Sequence, residues 1–248
     1  KDFAGAVEAA ASTGGQLMPP VMGAAAFLMA EFVGVPYIDI VKAAIVPAFL
    51  YFAGIWLGVH FEAKRGNLKG IPRSQLPKIG TILRERGHLA LPLIVIVYLL
   101  VSGYTPMRAA LVAIVLSILC SALRKSTRMK PIEIVRGLDR GARHVLSVLV
   151  ACASAGIIIG VVTKTGVGLK LASGLLDLSG GLLLPTMFFT MITAIILGMG
   201  VPTTANYVIT STIAAPALVQ MGVPVLCAHM FVFYFGIIAD VTPPVALA

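Results

Sequence analysis

Two helix-breaking segments of this chain place backbone carbonyls and polar side chains where they could bind a small ion. Each segment contains a pair of prolines inside a long apolar run, Pro19-Pro20 near the start and Pro243-Pro244 near the end. Proline lacks an amide proton and clashes with the preceding turn, so each pair should break its helix and free carbonyl oxygens. Within a membrane, such oxygens are tolerated only where protein buries them or where they line a polar cavity.

The polar groups near these breaks suit two kinds of ligand. Hydroxyl and amide side chains that could bind a substrate are those of Ser12, Thr13, Gln16, Thr203, Thr204 and Asn206. Oxygens that could bind a metal ion belong to Gly14, Gly15, Met18, Pro19, Thr204, Asp240, Val241, Thr242 and Pro243. Hard cations such as Na⁺ prefer oxygen cages at broken helices, and amides that open a half-helix can bind an anionic group. The pattern predicts Na⁺ as a coupling ion beside an anionic substrate, and no organic cofactor.

Two ionisable residues in apolar surroundings each allow two interpretations. Asp240 is the only charged residue after Asp177. A carboxylate near the middle of a membrane is costly, so it predicts a role in ion or substrate coupling. The alternative is that Asp240 caps the next half-helix. His229, also in an apolar run, is interpreted as a structural histidine with a hydrogen-bond partner, the alternative being a proton relay.

The composition predicts a polytopic helical membrane protein. Hydrophobic residues make up 58% of the chain and charged residues 12%, about half the charged fraction of an average soluble domain. Of the nineteen Lys and Arg, seven lie between Lys64 and Arg86 and seven between Arg124 and Arg143. Both groups flank apolar spans, which indicates cytoplasmic loops. The net charge of +9 therefore does not predict nucleic-acid binding.

Motifs of common enzyme classes are absent from the sequence. We find no His-Glu-x-x-His zinc motif, no Gly-x-Ser-x-Gly elbow and no phosphate-binding loop. The chain is therefore not expected to be an enzyme, nor to hydrolyse ATP itself.

The apolar runs predict the following elements. A broken span covers Phe3–Val33, and four further spans cover Ile38–Phe61, Leu89–Tyr104, Pro106–Leu123 and Val145–Val162. An interfacial amphipathic helix covers Pro131–His144, and a mixed Gly-rich segment covers Thr163–Gly181. A re-entrant hairpin covers Leu182–Val219 with its tip at Gly198–Asn206, and a last span begins at Val225. About 20 apolar residues are needed to cross a bilayer. Lys64–His88 is predicted to be a basic loop.

Counting spans from the two basic loops makes the two broken helices antiparallel across the membrane. Such an inverted repeat, with matched breaks, is typical of ion-coupled transporters. The second broken helix follows a hairpin, so we expect a first hairpin before Lys1, and the sequence is interpreted as a fragment that lacks it. The predicted fold class is therefore an all-α polytopic membrane protein, an inverted-repeat ion transporter with broken helices and a re-entrant hairpin.

Three motifs carry a resemblance to a known family. Ala11–Gly23 (Ala-Ser-Thr-Gly-Gly-Gln-Leu-Met-Pro-Pro-Val-Met-Gly), Gly198–Tyr207 and Asp240–Pro244 resemble the large membrane subunit of tripartite ATP-independent periplasmic (TRAP) transporters, and most closely the TAXI branch, where small and large subunits are often fused. The resemblance covers essentially the whole chain.

This resemblance implies a multi-pass permease of the bacterial inner membrane. It implies sodium-driven import of small organic acids, a periplasmic substrate-binding protein and a small membrane subunit as partners, and an elevator mechanism. The Gly14–Pro20 and Asp240–Pro244 breaks would form cation sites with the hairpin tips. Residues 1–34 would end the first repeat of the transport domain, 35–163 would form scaffold spans with the basic loops, and 164–248 would form the second repeat.

Two other classes of membrane protein remain open from the sequence. One is a receptor-independent ion-coupled symporter of the dicarboxylate or citrate type. The other is a channel or a structural membrane subunit, which would show conductance rather than saturable uptake.

Overall fold

The computed structural model describes residues 2–68, 70, 72, 79–124 and 127–243, and all regular structure in these ranges is helical. The predicted all-α class is confirmed. In chain order the helices are α1 Asp2–Gly14, α2 Ala24–Val33, α3 Tyr37–Arg65, α4 Ile79–Arg86, a 3₁₀ turn Gly87–Ala90, α5 Leu91–Val101, α6 Pro106–Ala122, α7 Pro131–Thr165, α8 Val167–Leu178, α9 Leu183–Gly198, α10 Thr203–Ile213, α11 Ala215–Gln220 and α12 Val225–Ala239.

The chain forms two compact units. One comprises the described parts of residues 1–55 and 144–248, and the other comprises those of residues 56–143. The predicted boundaries after residues 34 and 163 separate the transport repeats from the scaffold. The two compact units do not test that functional division, so it stays a prediction.

The first unit is built around α9 to α12. Its core is rich in alanine, and such small residues let helix backbones approach closely. The central cluster consists of Ala194, Ala214, Ala215, Leu218, Ala228 and Val232. Helix α2 packs against α10 and α12. This packing brings the end of α12 beside the start of α10.

The predicted hairpin forms two helical arms, and its re-entry into the membrane stays a prediction. α9 is the first arm, and the second arm consists of α10 and α11, with a step at Ala214. Pro216 lies in the first turn of α11, and its missing amide proton explains why α10 does not continue unbroken.

The predicted break of the first helix is also confirmed, although it begins later than expected. Ser12 and Thr13 belong to the last turn of α1, and the non-helical stretch runs from Gly15 to Gly23. The Pro19–Pro20 peptide bond is cis. At the other end of the chain, α12 ends at Ala239 and residues 240–243 are non-helical. Pro244 and the residues after it lie outside the described part of the chain, so the resumption of the second helix stays a prediction.

Two predicted segments differ from the structure. The amphipathic segment Pro131–His144 and the span Val145–Val162 form one continuous helix, α7, of 35 residues. Residues 132–165 contain no proline. The helix therefore continues through the point where the sequence changes from charged to apolar. The Gly-rich segment after α7 contains the amphipathic helix α8. The basic loop contains α4, and only residues 66–68, 70 and 72 are described as non-helical there.

Among the residues that the structure describes, two helices, α3 and α7, are long and apolar enough to cross a membrane. Only 17% and 6% of their most apolar windows are buried within the protein, which argues against buried core helices of a soluble domain. At a rise of about 1.5 Å per residue, α7 is roughly 52 Å long, whereas the hydrocarbon layer is about 30 Å thick. Its charged first half therefore extends beyond the apolar layer.

The second unit contains an antiparallel pair, α5 and α6. Gly103, with a φ of 81°, turns the chain between them, a conformation that side-chain-free glycine adopts readily. The Thr105 hydroxyl accepts a hydrogen bond from the Arg108 amide at 3.5 Å and caps α6.

Candidate functional site

The hairpin tip is a short link that leads directly into a helix N-terminus. α9 ends at Gly198, and Met199–Pro202 connect it to α10. Gly200 has a φ of 75°, and the Val201 amide donates to the Gly198 carbonyl at 3.2 Å. The predicted tip extended to Asn206, but Thr203, Thr204 and Asn206 lie in the first turn of α10. Helix geometry therefore fixes where their side chains can point.

The carboxyl group of Asp240 lies at this helix N-terminus. The Thr203 hydroxyl donates to Asp240 Oδ2 at 2.6 Å, although the two residues are far apart in the sequence. Pro202 occupies the N-cap of α10 and supplies no side-chain cap. The first amides of a helix have no intrahelical partner, and its N-terminus favours negative charge. Asp240 is thus held at the N-terminus of α10, whereas the half-helix that it was predicted to cap lies outside the described residues, so that alternative stays a prediction.

Asn206 joins the hairpin to α12. Its side chain is fully buried (0% exposed), and Nδ2 donates to the Gly236 carbonyl at 2.8 Å. A Cβ at Gly198 would contact the Asn206 amide and lie 2.8 Å from Ala239 Cβ, and a Cβ at Gly236 would lie 3.1 Å from Asn206 Nδ2. Gly198 is therefore needed for Asn206 to fit between α9 and α12, and a Cβ at position 236 would force the Asn206 amide to shift slightly.

Two oxygens at this junction lack hydrogen-bond partners. Asn206 Oδ1 and Asp240 Oδ1 are buried, and no donor reaches either of them among the described residues. Leaving a buried acceptor unsatisfied costs about 1–3 kcal/mol, so such groups call for an explanation. A bound cation would satisfy acceptor oxygens of this kind. The arrangement therefore has the chemistry of a site for a hard cation.

The other predicted ligands near α12 are less fully defined. Thr204 is half-buried in the first turn of α10. The Thr242 hydroxyl donates to the Ile238 carbonyl at 2.7 Å, so its oxygen keeps lone pairs for a further partner. Val241 and Pro243 follow α12 in non-helical conformation. Their roles as ligands stay predictions.

The first break is more fully hydrogen-bonded than expected. The carbonyls of Gly14, Gly15 and Met18 accept backbone bonds at 3.0, 3.3 and 3.2 Å, from Leu17, Met18 and Met22 respectively. These carbonyls have backbone partners because the chain coils into successive tight turns after α1. Each carbonyl retains a second lone pair, so ion binding by Gly14, Gly15, Met18 and Pro19 stays a prediction.

The remaining residues predicted at the first break differ in exposure. Ser12 is exposed, Thr13 is buried and Gln16 is half-buried. The Gln16 carbonyl accepts from the Gly23 amide at 2.8 Å and closes the break into a loop. Among the described residues, no hydrogen bond joins this break to the hairpin tip. The structure thus brings together Thr203, Asn206 and Asp240.

Sequence reasoning missed the tyrosines that hold the first break. The Tyr37 hydroxyl lies 2.9 Å from the Pro20 carbonyl and 3.0 Å from the Val21 carbonyl. Tyr51, on the same helix, donates to the Ala10 carbonyl at 2.9 Å. A tyrosine within an apolar span is the only signal that could have indicated them, because a buried phenol usually needs a partner.

His229 has a partner of the kind that the structural interpretation requires. Its Nδ1 lies 2.7 Å from the Tyr207 hydroxyl, and the Tyr207 ring packs against Phe32 and Phe233. This part-buried pair ties α10 to α12.

An all-helical chain with long lipid-compatible helices, and a buried cluster of unpaired oxygens where helices break, belongs to the class of membrane transport proteins. Its sequence matches, over residues 1–248, the family described as "Tripartite ATP-independent periplasmic transporter, DctM component". The chain belongs to this family, and the expected resemblance is confirmed at that level. Comparison with curated proteins and with solved structures gave no significant match.

Membership makes the protein a component of a membrane transporter that works without ATP, in a family of permeases rather than of enzymes. The family implies a periplasmic binding protein and a small membrane subunit as partners. Assignment to the TAXI branch, and fusion of the two membrane subunits, stay predictions.

Proposed function

We propose that this subunit is a multi-pass permease of the bacterial inner membrane that couples Na⁺ entry to the uptake of small organic acids. A periplasmic substrate-binding protein delivers the acid, and a small membrane subunit, separate or fused, completes the complex. The hairpin and the broken helices move together as an elevator. Membership in the tripartite family supports this proposal over a receptor-independent symporter or a channel.

The pair of unpartnered oxygens at the hairpin tip is the observation that carries the sodium part of the proposal. Asn206 Oδ1 and Asp240 Oδ1 are both buried acceptors. Na⁺ is a hard cation that prefers oxygen ligands, and broken helices in secondary transporters use such oxygens for coupling ions. The carboxylate also supplies the negative charge that a buried monovalent cation needs.

Electrostatics gives the order in which the ligands bind. A carboxylate substrate that approaches the α10 N-terminus meets the Asp240 carboxylate, and two like charges 4 Å apart repel by about 4 kcal/mol at an effective dielectric constant of about 20. A cation on Asp240 removes this repulsion. Sodium therefore binds first, and the organic acid binds to the loaded site.

Reconstitution of the complete transporter with its binding protein tests the proposal. Uptake of a panel of organic acids into proteoliposomes should require an inward sodium gradient and should saturate. Full-rate transport of free acid without the binding protein would favour a receptor-independent symporter. Conductance insensitive to sodium would favour a channel.

A further inference from the structure

Tyr51 of α3 contacts both helices that end in a break. Its hydroxyl donates to the Ala10 carbonyl in α1 at 2.9 Å. Its ring meets that of Tyr234 in α12 edge to face, with centroids 6.3 Å apart and planes at 85°. One side chain therefore bridges the end of α1 and the helix that leads to Asp240.

The contact with α1 is close and specific. A Cβ at Gly14 would fall within 2.7 Å of Tyr51 Cδ1 and 3.1 Å of Phe52 Cζ. Glycine at the last position of α1 therefore lets the helix end rest directly on the Tyr51 ring. Any displacement of α1 at the break must move this ring or break its bond to Ala10.

The contact with α12 leads to the candidate ion site. Tyr234 lies two residues before Gly236, whose carbonyl binds Asn206, and on the same helix that ends next to Asp240. A helix transmits a displacement along its axis as a rigid element.

We propose that Tyr51 is a positioning residue that couples the two breaks, so that an ion bound at one break favours binding at the other. This inference rests on the proposed sodium-coupled function and adds a mechanism of cooperativity to it. Coupling between two sites requires an element whose position both sites bias, and the Ala10–Tyr51–Tyr234 contacts supply that element.

Tyr37 provides a matched control on the same helix. Its hydroxyl also binds break carbonyls, those of Pro20 and Val21, and its ring stacks on Phe27 of α2 at 4.7 Å. Within the described part of the chain, no ring contact or hydrogen bond links Tyr37 to α12. Loss of this hydroxyl should perturb the first break without uncoupling it from the second.

The test is a sodium titration of uptake by the complete transporter in proteoliposomes, with saturating organic acid and binding protein. We expect wild-type uptake to show a Hill coefficient above one. Tyr51→Phe keeps the ring and loses the bond to Ala10, so the Hill coefficient should fall towards one. Tyr37→Phe should raise the half-saturating sodium concentration roughly threefold to tenfold, as loss of one hydrogen bond predicts, with the Hill coefficient unchanged.

Tyr234→Leu breaks the bridge at its other end and leaves the Ala10 bond intact, so it should lower the Hill coefficient as Tyr51→Phe does. The inference is overturned if wild-type uptake is hyperbolic in sodium, or if Tyr51→Phe and Tyr37→Phe give the same Hill coefficient. Loss of all sodium dependence in the wild-type protein is a different outcome, because it overturns the proposed function itself.

Discussion

At the residue scale, the candidate site depends on acceptor oxygens that no described donor satisfies. Asp240 holds one oxygen on Thr203 and leaves the other free, and Asn206 does the same with its amide. In each side chain one polar atom is hydrogen-bonded to the protein, and one acceptor oxygen stays open for a ligand. Buried polar groups usually have hydrogen-bond partners, so these two open oxygens distinguish the site from other buried polar groups.

Replacing the Asp240 carboxylate by an amide should weaken sodium coupling. Asp240→Asn keeps the size of the side chain and removes the charge, so the half-saturating sodium concentration for uptake should rise at least tenfold, equivalent to about 1.4 kcal/mol. Asp39→Asn, at a surface pair with Lys42, is the matched control and should leave the titration unchanged. Wild-type sodium dependence in Asp240→Asn would restrict Asp240 to a capping role.

Removing the Asn206 side chain should destabilise the protein. Asn206→Ala leaves the Gly236 carbonyl buried without a partner, which costs about 1–3 kcal/mol. The purified protein in detergent should unfold at a temperature lower by several degrees. Ser173→Ala removes only a surface hydroxyl that bonds Lys170 and should not shift the transition. An unchanged melting temperature in Asn206→Ala would contradict the structural role.

At the element scale, the positions of the helix breaks could be predicted from the sequence, but the pairs of helices that pack against each other could not. Pro19, Pro20 and the neighbouring glycines act on their own backbone, so their effect can be read locally. The Asn206–Gly236 and Tyr51–Ala10 contacts depend on how α12 and α3 pack, and no local pattern encodes them. The unbroken α7 was missed for a related reason, because a change from charged to apolar residues marks a change of environment and not the end of a helix.

The close crossing of α9 and α12 should not tolerate a methyl group. Gly198→Ala would place Cβ against Asn206 and 2.8 Å from Ala239 Cβ, and overpacking of this kind costs about 1–3 kcal/mol. We expect lower thermal stability and reduced uptake. Gly174→Ala, in α8 with open space around it, should be neutral or slightly stabilising because alanine favours helix. Equal stability of the two variants would show that the crossing is looser than described.

At the scale of the whole molecule, composition and the positions of basic residues predicted a helical membrane protein. The boundary of the compact unit formed by residues 56–143 could not be predicted, since compactness depends on contacts between distant segments. Thr203, Asn206 and Asp240 could each be predicted as site residues from the sequence. The hydrogen bonds that they form could not, because these depend on how distant helices pack in the fold.

Sodium should stabilise the folded protein as a whole. A ligand that binds only the native state adds about 2.7 kcal/mol at a hundred times its dissociation constant, so the melting temperature in sodium should exceed that in choline at equal ionic strength by several degrees. Asp240→Asn should lose most of this difference, whereas Asp39→Asn should keep it. Equal melting in the two salts for the wild-type protein would contradict a sodium site.

The fit of Asn206 between two glycines also constrains how this protein can evolve. Because a larger residue at position 198 or 236 would displace the amide, substitutions at positions 198, 206 and 236 are not independent of one another. Lineages that lose the asparagine would be free to acquire alanine at position 236, whereas position 198 would stay restricted by Ala239. A survey of related genomes should therefore find alanine at position 236 mainly where position 206 is no longer asparagine.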